Sequence, residues 1–166
     1  VTGIDVNPIF RDLHMNSFKD ESGFSDLSNV ELVIDEARSY LSSTNKKFSV
    51  IQMSLIDTWA STGAGAFTLT ENSLYTIEAW KIILSRLEKG GIFTVSRWYS
   101  PNNLGETGRL VSLAVNALLE LGVKEPDKHI SLMGVGRLAT LIVSVDPFTD
   151  DNINTLTKVS GDLKFT

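Results

Sequence analysis

The feature that most constrains the fold of this chain is a regular alternation of strand and helix patterns. Short runs rich in Val, Ile, Leu and Phe predict strands at residues 1–6, 30–34, 48–55 and 92–95. A helical pattern follows each of these strands, over residues 8–16, 35–41, 70–89 and 106–121. Residues 16–29, rich in Ser, Asp, Asn and Gly, predict a loop. The third helix is predicted to be capped by residues 70–72, to carry Leu74 in its apolar stripe and to be closed by Gly90 and Gly91. Strands and helices in this order predict an α/β fold, in which helices cover both faces of a mostly parallel sheet.

The last part of the chain departs from this alternation. Two β-rich runs, at residues 129–133 and 138–145, flank Gly134 and Gly136, which are typical turn residues of an antiparallel hairpin. A final helix is predicted over residues 150–163. We therefore expect a mostly parallel sheet with a C-terminal antiparallel hairpin, a combination that only some doubly wound folds have.

Composition excludes several classes of protein. The 166 residues are 42% hydrophobic and 21% charged, which fits one globular domain spanning residues 1–166. The formal net charge of -5 argues against a nucleic-acid partner, because such proteins usually carry a basic surface. The absence of Cys and the wide separation of His14 and His129 predict no disulfide, no thiolate nucleophile and no metal site. We expect His14 to be exposed and His129 to be a hydrogen-bonded residue that opens a strand.

The sequence also bears on location and completeness. No apolar run reaches the roughly 18 residues that a membrane-spanning helix needs, and no signal peptide opens the chain, so the expected location is cytoplasmic. The chain begins at Val1, inside a strand pattern. Because domains rarely begin inside their own core, we expect residues 1–166 to be the C-terminal portion of a domain from a longer protein.

Acidic and amide side chains follow the first two predicted strands. Ligands of parallel α/β sheets bind at the carboxyl ends of the strands, so these positions are candidates for a binding site. Asp5 and Asn7 follow the first strand, where a carboxylate can accept both hydroxyls of a ribose; alternatively, one of the two only caps the helix that starts at Pro8. Asp35 and Glu36 follow the second strand, where an acid can bind the amino group of adenine, or Asp35 is only a helix N-cap.

Further candidates follow the third and fourth strands. Ser54 and Asp57 lie where the third strand ends. Trp59 and Tyr75 are candidates for the wall of a substrate pocket, with simple packing of the two rings as the alternative. Arg97 is a candidate partner for a substrate carboxylate, with hydrogen bonds to neighbouring loop carbonyls as the alternative.

The order and spacing of these segments resemble the sequence core of spermidine synthases, which share the class I methyltransferase fold. The similarity covers residues 1–100 and is carried by Gly3-Ile-Asp5, by residues 33–41 and 48–51, and by the helix exit at residues 87–92. The resemblance implies a Rossmann-like methyltransferase fold in which Asp5 holds the ribose and Asp35 the adenine, with Asn7 and Glu36 beside them. The implied cofactor is S-adenosylmethionine or its decarboxylated form.

The chain departs from this family at the catalytic position. Spermidine synthases carry an Asp-x-x-Asp pair there; the first Asp takes a proton from the attacking amine and the second helps to hold the diamine. The corresponding residues here are Ser54 and Asp57, so only the second acid is present. A serine hydroxyl with no neighbouring base does not accept a proton near neutral pH. Residues 52–72 are instead similar to a divergent spermidine-synthase-like branch, whose members are often fused behind a multi-span membrane region.

The family's glycine-rich loop is a second departure. In a Rossmann-like sheet this loop precedes the ribose acid by about 20 residues, and Asp5 leaves no room for it. We therefore expect the first strand and its glycine loop to lie upstream of Val1, and residues 1–166 alone to bind S-adenosyl ligands poorly or not at all. Gly63 and Gly65 do not fit a dinucleotide-binding turn, because they come well after the third strand ends.

These features predict an S-adenosyl-ligand-dependent transferase-like domain that resembles spermidine synthase, with aminopropyl or methyl transfer as its reaction class and no activity expected from residues 1–166 alone. Whether the domain is an enzyme stays open. The loss of the first acid also favours a non-catalytic ligand-sensing or assembly domain of a larger membrane-tethered protein. The expected partners are a small amine or another polar acceptor, and no nucleic acid; a homodimer is an open alternative to a monomer.

Overall fold

The computed structural model describes residues 1–54, 73–100 and 105–165. These residues form two compact units, residues 1–44 and residues 45–166, which are described in turn. A strand is present at each of the six places where the sequence predicts one, and helices separate the first four, so the α/β class is confirmed.

The first unit is built on two parallel strands, β1 (Thr2–Asp5) and β2 (Glu31–Ile34). In their register Asp5 lies opposite Ile34, so both strands end at the same edge. The connection between them contains two short helices, α1 (Pro8–Asp12) and α2 (Lys19–Ser22), a π-helical turn (Leu13–Ser17) and a 3-10 turn (Phe24–Asp26). A third helix, α3 (Ala37–Ser43), follows β2.

Little of the first unit is buried. Leu41 on α3 is the one buried residue of residues 1–44, all of which the structure describes. Eight large apolar side chains are exposed in this unit, namely Val1, Val6, Ile9, Phe10, Leu13, Phe18, Leu27 and Ile34. A two-stranded sheet is marginally stable by itself in water. The first unit therefore gains little hydrophobic stabilisation from its own packing.

The second unit contains a four-stranded sheet in the order β3-β4-β6-β5. β3 (Phe48–Met53) is parallel to β4 (Leu87–Trp98), and β6 (Leu138–Ser144) is antiparallel to both β4 and β5 (Ile130–Val135). The predicted C-terminal hairpin is thereby confirmed, with its last strand inserted between its neighbours. Gly136, with a φ of 58°, lies in the hairpin turn, where a side chain would be strained.

Two helices, α4 (Ile77–Ser85) and α5 (Gly105–Glu120), pack together against this sheet. Their buried residues recur at helical spacing: Ala79, Trp80, Ile83 and Leu84 on α4, and Thr107, Leu110, Ala114, Ala117 and Leu118 on α5. The strands bury Phe93, Val95, Leu141 and Val143 on one shared face. The rings of Trp80 and Phe93 meet edge to face, with centroids 5.0 Å apart, so this layer is the core of the second unit.

The start of α4 differs from the prediction. The helix begins at Ile77, where the Thr76 hydroxyl accepts the backbone amide of Ala79 at 3.1 Å and acts as the N-cap. Leu74, which we placed in the apolar stripe of the helix, precedes it and is nevertheless buried. The predicted cap at residues 70–72 lies outside the described residues.

The end of α4 also differs. The helix ends at Ser85, and the prediction that Gly90 and Gly91 close it is wrong, since both glycines lie within β4. Gly90 has a φ of 72°, and glycine adopts such a positive φ both at strand bulges and at the ends of helices. Leu87 pairs with Phe48 of β3, and Ile92 pairs with Val50. Between these two pairs β4 therefore contains more residues than β3, and the turn at Gly90 accommodates the extra residues.

Two predictions for the first unit are also wrong. Residues 16–29, predicted as a loop, contain α2 and the 3-10 turn. His14, predicted to be exposed, packs between the rings of Phe10 and Phe24, at centroid distances of 4.6 and 5.0 Å. Its Nδ1 is buried and has no hydrogen-bond partner among the described residues. The π-helical turn and the placement of Phe24 together enclose the imidazole.

The C-terminal part follows the prediction closely. His129 is buried at the end of a 3-10 turn (Pro126–His129), directly before β5, and its Nδ1 lies 3.1 Å from the Ser144 carbonyl oxygen. It is hydrogen-bonded, as predicted, although it precedes the strand. A last helix, α6 (Asp150–Asp162), begins with a capping box formed by Thr149 and Asn152. Within the described ranges, no helix combines the length and the apolar character that crossing a membrane requires.

Candidate functional site

The first candidate residues lie where β1 and β2 end. Asp5 is the last residue of β1 and lies opposite Ile34, the last residue of β2. The backbone amide of Asp35 donates to the Asp5 carbonyl oxygen at 3.2 Å. Neighbouring strands lie about 4.8 Å apart, so Asp5 and Asp35 are neighbours at one edge of the sheet. This is the arrangement that the sequence predicts for two strand-end acids, and their ligand stays a prediction.

Local hydrogen bonds define what Asp5 and Asn7 do in the folded chain. The Asn7 side-chain oxygen accepts the Ile9 amide at 3.0 Å, so Asn7 is the N-cap of α1, with Pro8 at the first helical position. The Asp5 Oδ1 atom accepts the Asn7 amide at 2.7 Å. The Oδ2 atom of the exposed Asp5 has no partner among the described residues, and each carboxylate oxygen can accept more than one hydrogen bond. Asp5 therefore supports the turn and still presents an acceptor to a ligand.

A small cavity of about 110 Å³ lies beside Asp5. Asp5 and Asn7 line it at the strand end, Phe10 and Arg11 line it from α1, and the remaining lining comes from Gly3, Ile4, Leu32, Val33 and Ile34. Phe10 and Ile34 are 45% and 46% exposed, so a ring that binds here buries apolar surface of both. A carboxylate next to such a surface can accept hydroxyl groups of a ligand whose apolar part covers Phe10 and Ile34.

Phe10 and Arg11 line this cavity, and sequence reasoning did not single them out. Candidates were sought directly after the strands, whereas these two side chains come from the helix that follows β1. The available signal was the short connection: α1 starts at Pro8, three residues after the strand ends at Asp5. A helix that begins so close to a strand end places its first turn over that end of the sheet.

The acids after β2 are engaged locally. Glu36 is the N-cap of α3, since its Oε1 accepts the Arg38 amide at 3.0 Å and its Oε2 accepts the Ser39 amide at 2.9 Å. The alternative that Asp35 is only the N-cap is therefore wrong. Asp35 accepts the Glu36 amide through Oδ1 at 2.8 Å and is half-buried. Neither acid lines the cavity beside Asp5, and an adenine contact of either one stays a prediction.

In the second unit, Ser54 directly follows β3. The Ser54 hydroxyl oxygen accepts a hydrogen bond from the Gln52 side-chain Nε2 at 3.0 Å. Both residues are exposed. An amide donor does not take a proton, so this contact orients the serine without activating it. Gln52 is a second residue that sequence reasoning did not single out.

Tyr75 and Arg97 are brought together at the carboxyl end of β4. The Arg97 guanidinium carbon lies 4.4 Å from the centroid of the Tyr75 ring, within the range of a cation–π contact. The next residue, Trp98, ends β4, and its carbonyl oxygen accepts the Thr107 hydroxyl at 3.1 Å. Tyr75 thus holds a charged side chain in place at this end of the strand, and its contact with a substrate stays a prediction.

Asp57 and Trp59 lie outside the described residues, so their predicted roles stay predictions. In the part of the chain that the structure describes, no three acidic or histidine side chains are grouped in a way that would hold a metal ion.

The chain matches no protein-family model. A comparison with curated protein sequences also finds no match.

Several solved structures share the fold at low sequence identity. Human methyltransferase-like protein 13, solved in complex with SAH, has a TM-score of 0.60 and 11% identity, covering 93% of this chain and 66% of its own. A probable spermidine synthase from Corynebacterium glutamicum has a TM-score of 0.58 and 17% identity, covering 91% and 49%. The spermidine synthase from Thermotoga maritima has a TM-score of 0.56 and 16% identity, covering 91% and 47%.

This chain thus spans about half the length of the two solved spermidine synthase chains and 66% of the solved human chain. Identities of 11–17% establish the arrangement of helices and strands and do not establish the chemistry. The predicted class of fold is confirmed: this chain has the Rossmann-like fold that spermidine synthases share with class I S-adenosylmethionine-dependent methyltransferases.

Proposed function

We propose that this chain is part of an S-adenosyl-ligand-dependent transferase-like domain, whose reaction class is methyl or aminopropyl transfer to an amine or another polar acceptor. The observation that carries the proposal is the pair of acids, Asp5 and Asp35, at one edge of the β1–β2 sheet; Asp5 also lines a cavity whose other lining residues are mainly apolar. The fold that the chain shares with spermidine synthases and with a methyltransferase solved with SAH supports the same class of ligand.

The residues at this edge fit the nucleoside part of such a ligand. The Asp5 carboxylate accepts the two ribose hydroxyls, and Asp35 accepts a hydrogen bond from the adenine amino group through the oxygen that does not bind the Glu36 amide. Phe10 gives an apolar side to the bound ring. In this proposal, the role of the three residues is to bind and orient the ligand.

Ser54 limits the transfer chemistry in this proposal. An S-adenosyl ligand supplies a carbon bonded to a positively charged sulfur, and displacement at that carbon depends chiefly on alignment of the acceptor. The described partner of Ser54 is the amide of Gln52, so Ser54 removes no proton from the acceptor. The acceptor therefore binds as a neutral nucleophile or loses its proton to solvent, while Asp57 is the acid proposed to hold it.

The Gln52–Ser54 contact also favours a second candidate function, a non-catalytic domain that senses an S-adenosyl ligand or supports assembly of a larger membrane-tethered protein. Such a domain would keep the nucleoside acids and need no base after β3. The two candidates share the same ligand and differ only in turnover.

Isothermal titration calorimetry with three ligands tests the proposal. S-adenosylmethionine, its decarboxylated form and 5′-methylthioadenosine carry the same nucleoside and differ beyond the sulfur. Asp5, Asp35 and Phe10 are all proposed to contact the nucleoside, which the three ligands share. We therefore expect weak, saturable binding of all three with similar affinities. A marked preference for one of the three, or binding that Asp5→Asn leaves unchanged, would contradict the nucleoside site. Product formation with a panel of amines would support the transferase over the sensor.

Replacing Asp5 by Asn is expected to weaken binding of 5′-methylthioadenosine by about 1–3 kcal/mol, because a charged acceptor for the ribose hydroxyls is lost. The Asn side-chain oxygen still accepts the Asn7 amide, so the turn before α1 is preserved. Calorimetry of the wild type and the variant measures the difference.

Asp12→Asn is the matched control for this substitution. Asp12 is an exposed acid on α1 that bonds the Asn16 side chain at 2.6 Å and does not line the cavity beside Asp5. Its replacement should leave the affinity unchanged. An equal loss of affinity in both variants would mean that the effect of Asp5→Asn comes only from the change in net charge. If Asp5→Asn does not lower the affinity, Asp5 has a structural role only.

A further inference from the structure

A second cavity lies between α6 and the four-stranded sheet and has a volume of about 300 Å³. Its floor includes Ile92 in the middle of β4, together with Ile142 and Ser144 near the end of β6. Ile92 and Ser144 are register partners, so these side chains share one face of the sheet. Phe148 and Leu156 line it from the loop after β6 and from α6. Most residues of α6, which contributes to the wall of this cavity, are exposed.

This cavity is distant from the candidate residues at the carboxyl ends of β3 and β4. Ile92 lines the cavity, and Arg97 lies five positions further along the same strand, near its end. At about 3.3 Å per residue they are about 16 Å apart. Any ligand of this cavity therefore binds at the opposite end of the sheet from Arg97.

A hydrogen-bond network fixes a carboxylate in the cavity wall. Asp146 accepts the backbone amide of Gly90 through Oδ2 at 2.7 Å. The buried Ser144 hydroxyl donates to the Gly91 carbonyl at 3.0 Å and accepts the Asp146 amide at 3.2 Å. A side chain at Gly91 would meet backbone atoms at 3.0 Å, so this turn has little room to move. The network thus holds the Asp146 carboxylate in a defined position.

Two neighbouring groups in this cavity favour a positive charge. Asp146 is the only ionisable side chain among its described lining residues, and the bond to Gly90 leaves further acceptor capacity on the carboxylate. The ring of Phe148 lines the same space, and the face of an aromatic ring attracts cations. The other lining side chains are mainly apolar: Ile92, Ile142, Pro147 and Leu156.

We propose that the cavity beneath α6 is a second binding site, which takes a small ammonium compound with a short apolar body. The ammonium group pairs with Asp146 and lies near the Phe148 ring, and the apolar body covers Ile92, Ile142 and Leu156. The site is formed within the second unit alone, so it does not depend on the nucleoside proposal.

Titration with 2-phenylethylamine, followed by two-dimensional ¹⁵N–¹H NMR, tests the proposal. We expect saturable shifts of the amides of Gly90, Asp146 and Asn152, which line the cavity. The neutral analogue 2-phenylethanol has the same apolar body and should bind about fivefold more weakly, because it lacks the charge that pairs with Asp146. Equal affinity of amine and alcohol, or shifts confined to residues 1–44, would overturn the proposal.

Two variants with a matched control sharpen the test. Asp146→Asn keeps an acceptor for the Gly90 amide, and it should weaken binding of the amine about fivefold while leaving binding of the alcohol unchanged.

Thr155→Trp places a large ring at the cavity mouth and should abolish binding of both compounds. Thr157→Trp is the matched control, because Thr157 is an exposed residue of α6 that does not line the cavity, and it should leave binding unchanged. Wild-type affinity in Thr155→Trp would show that the compounds bind elsewhere. Asp5→Asn should leave amine binding unchanged, so failure of this proposal is distinguishable from failure of the proposed function.

Discussion

We expect the Phe93→Ala substitution to lower the free energy of unfolding by about 3–5 kcal/mol relative to the wild type. Phe93 is 0% exposed in the middle of β4, and its ring meets the Trp80 ring of α4 edge to face at 5.0 Å. Removing the ring leaves a cavity between α4 and the sheet, because the surrounding side chains relax only in part. Urea denaturation followed by far-ultraviolet circular dichroism measures the change.

Trp98→Ala is the control for this prediction. Trp98 lies on the same strand and is 42% exposed, so its truncation should cost much less than that of Phe93. Should Phe93→Ala not fold at all, Phe93→Leu fills most of the space and should cost less than about 1.5 kcal/mol. A loss in Phe93→Ala no larger than that in Trp98→Ala would contradict the assignment of this layer as the core.

The core and the order of the strands could be predicted from the sequence because both depend on patterns that are local and repeated. Trp80 and Leu84 recur at helical spacing, and the Val- and Ile-rich runs at β3 and β6 indicate strands without ambiguity. The antiparallel hairpin followed from glycine at Gly136, whose positive φ only a few residue types adopt readily.

The same reasoning failed at Gly90 because one residue type serves two structures. Lysine and glycine after an apolar stripe indicate the end of a helix, and Gly90 has the positive φ that such an end needs. The conformation instead belongs to a strand in which β4 carries more residues than β3. Only the pairing of the two strands decides between a helix cap and a bulge, and pairing is a long-range property that a local pattern does not contain.

The candidate site likewise has features that local sequence patterns predict and features that depend on long-range packing. Strand ends can be located from sequence, so Asp5 and Asp35 were predicted and lie at one edge of the sheet. The wall formed by Phe10 and Arg11 depends on how α1 turns back over β1; the short connection indicates this turn, but it does not show which side chains of α1 line the cavity. The contact between His14 and Phe24 was likewise not predicted. It depends on a 3-10 turn (Phe24–Asp26) within the predicted loop, which places the Phe24 ring against the His14 ring.

Two adjacent leucines on α5 give the sharpest test of how the second unit is packed. Leu118 is 0% exposed and Leu119 is 49% exposed, although both belong to the same helix turn. Leu118→Ala should lower the free energy of unfolding by about 2–5 kcal/mol, because it removes buried methyl groups and leaves a cavity. Leu119→Ala should cost less than about 1 kcal/mol, because much of that side chain already contacts water.

The two variants have the same composition and nearly the same helix propensity, so a difference between them reports burial alone. Denaturant unfolding of both, with the slope of the transition compared to that of the wild type, separates a change in stability from a change in the folded state. Equal losses in the two variants would mean that α5 does not present Leu118 to the sheet. A helix rotated in that way would also move Thr107 from the Trp98 carbonyl, which it contacts at 3.1 Å, and would change the carboxyl end of β4 where Tyr75 and Arg97 meet.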